Sequence, residues 1–411
     1  MANWIRAANV AEVRQSGCQA VQVNGHVVAL FAHGDEIFAV DNRCPHMGFP
    51  LDKGSVKDGI LTCYWHYARF DLQTGGTFDQ WADDVRAFPV EVRDGAVWVD
   101  VAPQRDPRAH QRERLQVGLE RNLSLVIGKA VLTLLDGDGD PVEPFRRGLA
   151  FGAAYREAGW GQGLTILTCM MNLLPYLDAA DRPRALYHGL AATAANTAGS
   201  PPRFPIRPLP ADGADVATLK RWLRQFIEVR DAEGAERCVV SAVRAGATPQ
   251  QLADMLFTAV TDHRYVDVGH PADFTNKALE ALDVAGWEQA EVVLASLVSG
   301  YANAERMEES NAWRNPVDLI AILEAAFARL PDVVAQGQAR GGRWQGRQAL
   351  VALLLGDDPQ ATADGLLAAL AEGATLVAVG SAVSYAAALR IARFHTSNEF
   401  GDWDTALHTF T

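Results

Sequence analysis

The sequence predicts a multidomain chain of mixed α and β class. It has a small antiparallel β domain over residues 1–103, a polar linker over 104–115 and a large all-α domain over 116–411. Three observations lead there. Short apolar stretches separated by tight-turn dipeptides fill the first hundred residues. The segment APQRDPRAHQRERL (102–115), polar and with two prolines, then changes the character of the chain. Beyond it, apolar residues recur at helical spacing nearly to the end.

The β elements come first. Residues 20–23 alternate, Asn24-Gly25 is a hairpin turn, and residues 27–31 return. Gly34-Asp35 is a second turn, before a strand over 37–40. Residues 88–92, the turn Asp94-Gly95 and residues 96–101 form another hairpin. Short strands between tight turns suggest a small sandwich. The helical part begins with a candidate over 111–135. Thr248 followed by Pro249 sets an N-cap and a first helical position, opening a helix over 249–261. Further helices are expected over 317–330, 366–370 and 374–394, and Asp402 would cap a last one through His408. The proline-rich run SPPRFPIRPLP (200–210) is expected as a loop between two helical halves.

Composition narrows the function. A net charge of −13 argues against nucleic acid and acidic membrane surfaces as partners. No stretch of about 18 uncharged apolar residues occurs, so no membrane span is expected. The N-terminus has no apolar run of secretory length. Five cysteines without a CxxC pair are not a disulfide framework, and they point to a reducing cytoplasm.

The chemistry-bearing motif is Cys44-Pro-His46 followed by Cys63-Tyr-Trp-His66. Zinc fingers pair like with like, Cys with Cys and His with His. Here each pair is mixed. That suits a [2Fe–2S] cluster in which two thiolates hold one iron and two imidazoles the other, each loop supplying one of each. Neutral imidazole in place of thiolate leaves the cluster less negative and easier to reduce. Such centres span about −150 to +300 mV, against roughly −400 mV for all-cysteine plant-type clusters.

The stretches CPHMGFPLDKG and CYWHYARFDLQTGG resemble the Rieske family, including Phe70-Asp71 and Thr74-Gly75 after the second loop. The resemblance covers about the first hundred residues. Respiratory members of that family add a disulfide between the loops. The corresponding positions here are Phe49 and Trp65, so the resemblance is to the ferredoxin and oxygenase branch. That implies transfer of electrons to catalytic iron at lower potential.

The remaining 300 or so residues would be where the electron is used. Asp262-His263, His270 and Asp273 lack the spacing of a two-histidine-one-carboxylate iron site. The helical region instead holds five histidines in polar settings: His188, His263, His270, His395 and His408. The segments YHGL, TDHRYVDVGHPADFTNK and HTSNEFGDWDTALHTFT resemble the questin-oxidase-like family. The resemblance implies a non-haem iron bound by these histidines, with Lys277, one of three lysines after residue 112, as a candidate carboxylated ligand. For Lys277 the alternative is a plain exposed lysine. All five histidines cannot bind one iron together with lysine, water and oxygen, so one stands behind the ligands or two metals bind. DGDGD (136–140) lacks the spacing and terminal Glu of a calcium loop and reads as a solvated turn. Glu305, Glu308 and Glu309 share a helix face but pair as readily with Arg306 and Arg314. Trp313, Trp344 and Trp403 are expected in the core or lining an aromatic pocket.

The expected function is therefore a Rieske-coupled non-haem iron oxygenase. An external reductase or ferredoxin supplies the electrons. O2 and a small organic substrate, an aromatic or polycyclic ketone by resemblance, are the reactants. The competing expectation is an electron-transfer protein whose helical region docks a redox partner.

Overall fold

The structure, a computed structural model, describes residues 3–102, 106–204, 206–210, 214–267 and 269–393. The chain divides into two compact units, one of residues 1–148 and 169–199, the other of residues 149–168 and 200–411.

The first unit opens with strand β1 (Trp4–Asn9) and helix α1 (Val10–Ser16). Three strands follow: β2 (Cys18–Val23), β3 (His26–His33) and β4 (Glu36–Asp41). These three form an antiparallel meander, joined through Asn24-Gly25 at φ 44° and 82° and Gly34 at φ 60°. Left-handed backbone at a two-residue connection is what Asn-Gly favours. Strands β5 (Ser55–Lys57), β6 (Ile60–Thr62) and β7 (Arg69–Asp71) make a separate small antiparallel sheet. Strands β8 (Ala87–Phe88), β9 (Val90–Arg93) and β10 (Ala96–Asp100) complete the set. β8 adds to β4, giving the order β2-β3-β4-β8. The third sheet has the order β1-β10-β9.

The central strand β3 reads as an unbroken apolar run because both of its faces are covered. Val28 and Leu30 pack with Val13, Val97 and Val99 in one core. Ala29 and Phe31 pack with Leu51, Leu61, Phe70 and the two cysteines Cys44 and Cys63 in the other. Period-two alternation thus feeds two cores from one strand.

Helix α2 (Pro107–Glu120) corrects the sequence reading of 104–115 as a linker. Asp106 accepts a hydrogen bond from the Arg108 N–H and Pro107 occupies the first turn, so the proline starts a helix. Leu115 and Leu119 are fully buried beneath it. Helix α3 (Ser124–Leu134) packs antiparallel to it after a short turn. The expected single helix over 111–135 is thus two. Gly118 lets them approach, since a Cβ there would lie 2.9 Å from Ile127 Cγ1. Helices α4 (Val142–Ala154) and α5 (Gln162–Leu173) follow, and α6 (Arg182–Thr197) packs on α2 and α3.

The second unit is helical among its described residues. Helices α7 (Val216–Glu228), α8 (Ala232–Arg244) and α9 (Pro249–Thr261) pack against one another. α9 starts where expected, at Thr248 and Pro249, and Gln251 completes a reciprocal capping box with Thr248. Then come α10 (His270–Ala285), α11 (Ala290–Ala295), α12 (Val298–Asn303), α13 (Leu319–Arg340), α14 (Arg347–Leu354), α15 (Pro359–Ala371) and α16 (Leu376–Ala392). The helix expected over 317–330 does not end before Pro331 but runs through it. Packing overrides the missing N–H: Gly337, beyond the proline, sits where a Cβ would meet the Leu370 carbonyl oxygen at 2.0 Å. The proline-rich run 200–210 carries no helix or strand among its described residues. The expected helix from Asp402 through His408 lies outside the described residues. No described helix is long and apolar enough to cross a membrane.

Candidate metal centre

Two loops meet at one edge of the first unit. The first leaves β4 and carries Cys44 and His46. The second joins β6 to β7 and carries Cys63 and His66. Each repeats one turn. The Cys44 N–H donates to the Phe49 carbonyl at 2.8 Å and the Gly48 N–H returns to the Cys44 carbonyl at 2.8 Å. Likewise Cys63 N–H donates to Ala68 and Tyr67 N–H to Cys63, both at 2.9 Å. The fourth residue after each cysteine is left-handed, Gly48 at φ 88° and Tyr67 at φ 62°. The first loop accommodates this with glycine and the second holds a tyrosine there.

Both loops are braced. Asn42 Nδ2 donates to Asp52 Oδ1 at 2.9 Å, and the Asp52 N–H donates back to Asn42 Oδ1 at 2.7 Å. Asp71 accepts from the Thr74 N–H at 3.0 Å. Gly75, at φ 76°, lies where a Cβ would be 1.9 Å from the Val85 carbonyl oxygen, so only glycine fits. These contacts account for the Phe70-Asp71 and Thr74-Gly75 portion of the motif.

The arrangement sorts ligand types. Cys44 and Cys63 are buried side by side in one core cluster. Burial pushes the Cys44 thiol up to about 11; the backbone N–H groups of His46 and Met47, aimed at it, pull the other way. The His46 and His66 rings lie nearer the surface, edge to face, with centroids 4.8 Å apart. Burial, then the neighbouring His66 and Lys129, lower the His46 pKa. Trp81 packs edge-on against His46 at 4.7 Å and Trp65 tilts over His66 at 4.7 Å. The Phe49 and Trp65 rings are tilted toward one another at 6.0 Å. Two sulfurs together and two imidazoles together fit a two-iron cluster, with one like pair for each iron. Elsewhere among the described residues no group of three or more His, Cys, Asp and Glu side chains is placed to hold a metal ion.

The comparisons with known proteins agree with this geometry. The family model "Rieske [2Fe-2S] domain" matches residues 3–89. The ferredoxin component of the naphthalene 1,2-dioxygenase/salicylate 5-hydroxylase systems of a Ralstonia species is 32% identical over 91 residues. These are 22% of this chain and 88% of that protein. The chain belongs to the Rieske [2Fe–2S] family. The ferredoxin component of the p-cumate 2,3-dioxygenase system of Pseudomonas putida is 35% identical over 80 residues, 19% of this chain and 68% of that protein. A Sphingomonas yanoikuyae B1 ferredoxin structure is 29% identical and covers 24% of this chain and 98% of its own, with a TM-score of 0.23. The Rieske domain is the part of the chain that these relatives cover.

The other expected ligands are dispersed. His188 is exposed on α6 in the first unit, tilted against Tyr187 at 5.5 Å. The rest of the described set belongs to the second unit. His263 is buried; its Nδ1 accepts from the Tyr265 N–H at 3.1 Å and its Nε2 has no hydrogen-bond partner among the described residues. Burial lowers its pKa. His270 begins α10 and stacks on Phe274 at 5.2 Å. Lys277 is buried rather than exposed and pairs with Glu280 at 3.0 Å. His395 and His408 lie outside the described residues. Trp313 is exposed, not in the core.

Sequence reasoning missed three residues near the cluster loops: Lys129, Trp81 and Asp83. Lys129 Nζ donates to the His46 carbonyl at 3.0 Å. A lone lysine inside the apolar helix SLVIGKAVLTL was the available signal. Nothing local marks Trp81 or Asp83.

Proposed function

We propose that this chain is a one-electron relay whose Rieske cluster is held by Cys44 and Cys63 on one iron and by His46 and His66 on the other. The observation that carries this reading is the pairing of thiol with thiol inside and imidazole with imidazole toward the surface. The cluster, when bound, supplies reversible one-electron chemistry. The residues of the chain do the rest. The buried cysteines sit in an apolar core that keeps water from the sulfur side. The histidine edge faces outward among exposed Met47, Tyr64, Trp65 and Tyr67, a surface that suits brief docking of a redox partner. The electron donor in this reading is an external reductase. Cys63→Ser tests the ligand assignment. It should abolish the Rieske electron paramagnetic signal of the reduced protein, and a full signal in that variant would refute it.

A second reading has its own observation. His263 Nε2 is buried without a hydrogen-bond partner among the described residues, and His263 lines a cavity of about 220 Å³ with Glu228, Asp262 and Glu324. The expected non-haem iron oxygenase, acting on O2 and a small organic substrate, would use this cavity, where Asp262 pairs with Arg224 and Glu228 with Arg264 and no three such side chains among the described residues converge on one ion. Iron and acid-labile sulfide analysis separates the two. Equal amounts support the relay. Excess iron, lost in His263→Ala or His395→Ala while sulfide and the Rieske signal remain, supports the oxygenase.

A further inference from the structure

Two arms reach the His46 loop from outside the two cluster loops. One is the segment at residues 80–83. Arg114 of α2 donates to the carbonyls of Gln80 and Ala82 at 3.1 and 2.6 Å. Its Nε lies 3.0 Å from Asp83 Oδ1. His110 and Gln111, also on α2, bond to the same carboxylate at 3.1 and 2.8 Å. This holds Trp81 edge-on against the His46 ring. The other arm is α3, pressed on α2 at Gly118, from which Lys129 Nζ donates to the His46 carbonyl. His46 is thus fixed at its ring by one arm and at its backbone by the other, and both arms rest on α2.

We infer that Lys129 is a positioning residue for the cluster: a helix beyond the Rieske fold places a fixed ammonium at the backbone of a cluster ligand, and this raises the reduction potential. The inference rests on the ligand assignment proposed above. Reduction adds one electron to the cluster without removing one elsewhere in the chain. A nearby half-buried cation stabilises the added negative charge more than it stabilises the oxidised form, because screening is incomplete in a partly desolvated setting. The hydrogen bond also keeps the loop in register, so the two roles must be separated by the choice of variant. Lys129 is one of few lysines, and α3 is otherwise apolar.

The test is a potentiometric titration of the full-length holoprotein with dithionite as reductant, followed by the Rieske paramagnetic signal. Lys129→Met removes charge and donor. Lys129→Gln keeps a donor without charge, and Lys129→Arg keeps both. The expected result is a three- to tenfold shift of the reduction equilibrium toward the oxidised form in Met and Gln, with the Arg variant near wild type. Tenfold corresponds to about 59 mV for a one-electron couple. Lys220→Met is the control, since Lys220 pairs with Asp254 in the second unit. A wild-type potential in both Met and Gln variants that retain the full signal would overturn the inference, and so would an equal shift in Lys220→Met. If Met fails to fold, Gln against Arg decides. Absence of the Rieske signal from the wild-type protein would instead sink the ligand assignment, so the two failures are distinguishable.

Discussion

Asp83→Asn removes one charge from a junction that carries several. The carboxylate is 9% exposed and faces Arg114, His110 and Gln111, all on α2. Burial alone would push this carboxyl up. The hydrogen bonds from His110 and Gln111 and the charges of His110 and Arg114 outweigh it and hold the pKa down from 3.8 to about 2. A difference of about 1.8 pH units, at 1.36 kcal/mol each, makes the ionised form worth about 2.4 kcal/mol to the folded state. An independent route gives a similar size. Breaking a buried pair by removing one partner costs about 3–5 kcal/mol. Arg114 keeps two carbonyl acceptors and the new amide still accepts from Gln111, so the low end applies. With a urea dependence of about 2 kcal/mol per molar, the unfolding midpoint should fall by about 1.2 M. The assay is urea unfolding of the holoprotein at pH 7, followed by the visible circular dichroism of the cluster, which reports the first unit. The depressed pKa puts the Asp83 contribution fully in place above about pH 5, with progressive loss as pH falls from there through about 2, so neutral pH measures all of it. A midpoint within about 0.2 M of wild type would refute the claim that this carboxylate holds α2 to the Rieske domain.

Three further outcomes are expected. His110 has its pKa raised, first by its hydrogen bond to Asp83, so its stabilisation is full below pH 6.5 and is lost as pH rises through its higher folded value. Urea midpoints between pH 6 and 9 should therefore decline in the wild type and lose that slope in His110→Gln; the same slope in both would contradict it. Gly75→Ala forces a Cβ onto the Val85 carbonyl at a left-handed φ and should cost more than about 3 kcal/mol or prevent cluster assembly, read as the ratio of cluster absorbance to protein. The cluster potential, without an inter-loop disulfide, should fall in roughly the range −150 to 0 mV, and a voltammetric value near +300 mV would place the domain in the wrong branch.

What the sequence made legible was local. Asn24-Gly25 and Asp94-Gly95 announce hairpins because left-handed backbone at a two-residue turn suits few other pairs. Thr248 and Pro249 announce a helix start because the threonine side chain accepts from an orphan N–H and the proline has none to satisfy; Gln251, which closes the capping box, was not read from the sequence. The cysteine–histidine motif is legible because metal chemistry fixes both residue types and spacing. What stayed hidden was non-local. Strand β1 pairs with β10 across nearly the whole domain, and WIRAAN carries little alternation of its own. The helix through Pro331 survives by packing against α15. The polar look of 104–115 came in part from His110, Gln111 and Arg114, whose partners lie some thirty residues upstream; nothing local marks Gln111 and Arg114 as buried or His110 as half-buried.

That last misreading changes where the Rieske domain ends in a physical sense. The family match stops at residue 89, and β10 closes the third sheet at Asp100. The compact unit nevertheless continues through α2 and α3. Cutting the chain at 103 would strip Asp83 of every partner it has on α2 and remove the donor to the His46 carbonyl. The cluster loops themselves would remain, since their turns close on local backbone bonds and on Asn42, Asp52 and Gly75. On the proposals above, holding the cluster and tuning its potential would depend on different stretches of sequence: the two loops that carry the cysteines and histidines, and the helical hairpin of α2 and α3 that follows them. A chain that joins a Rieske domain to several hundred further residues can in this way adapt a common cluster to its own use without altering one ligand.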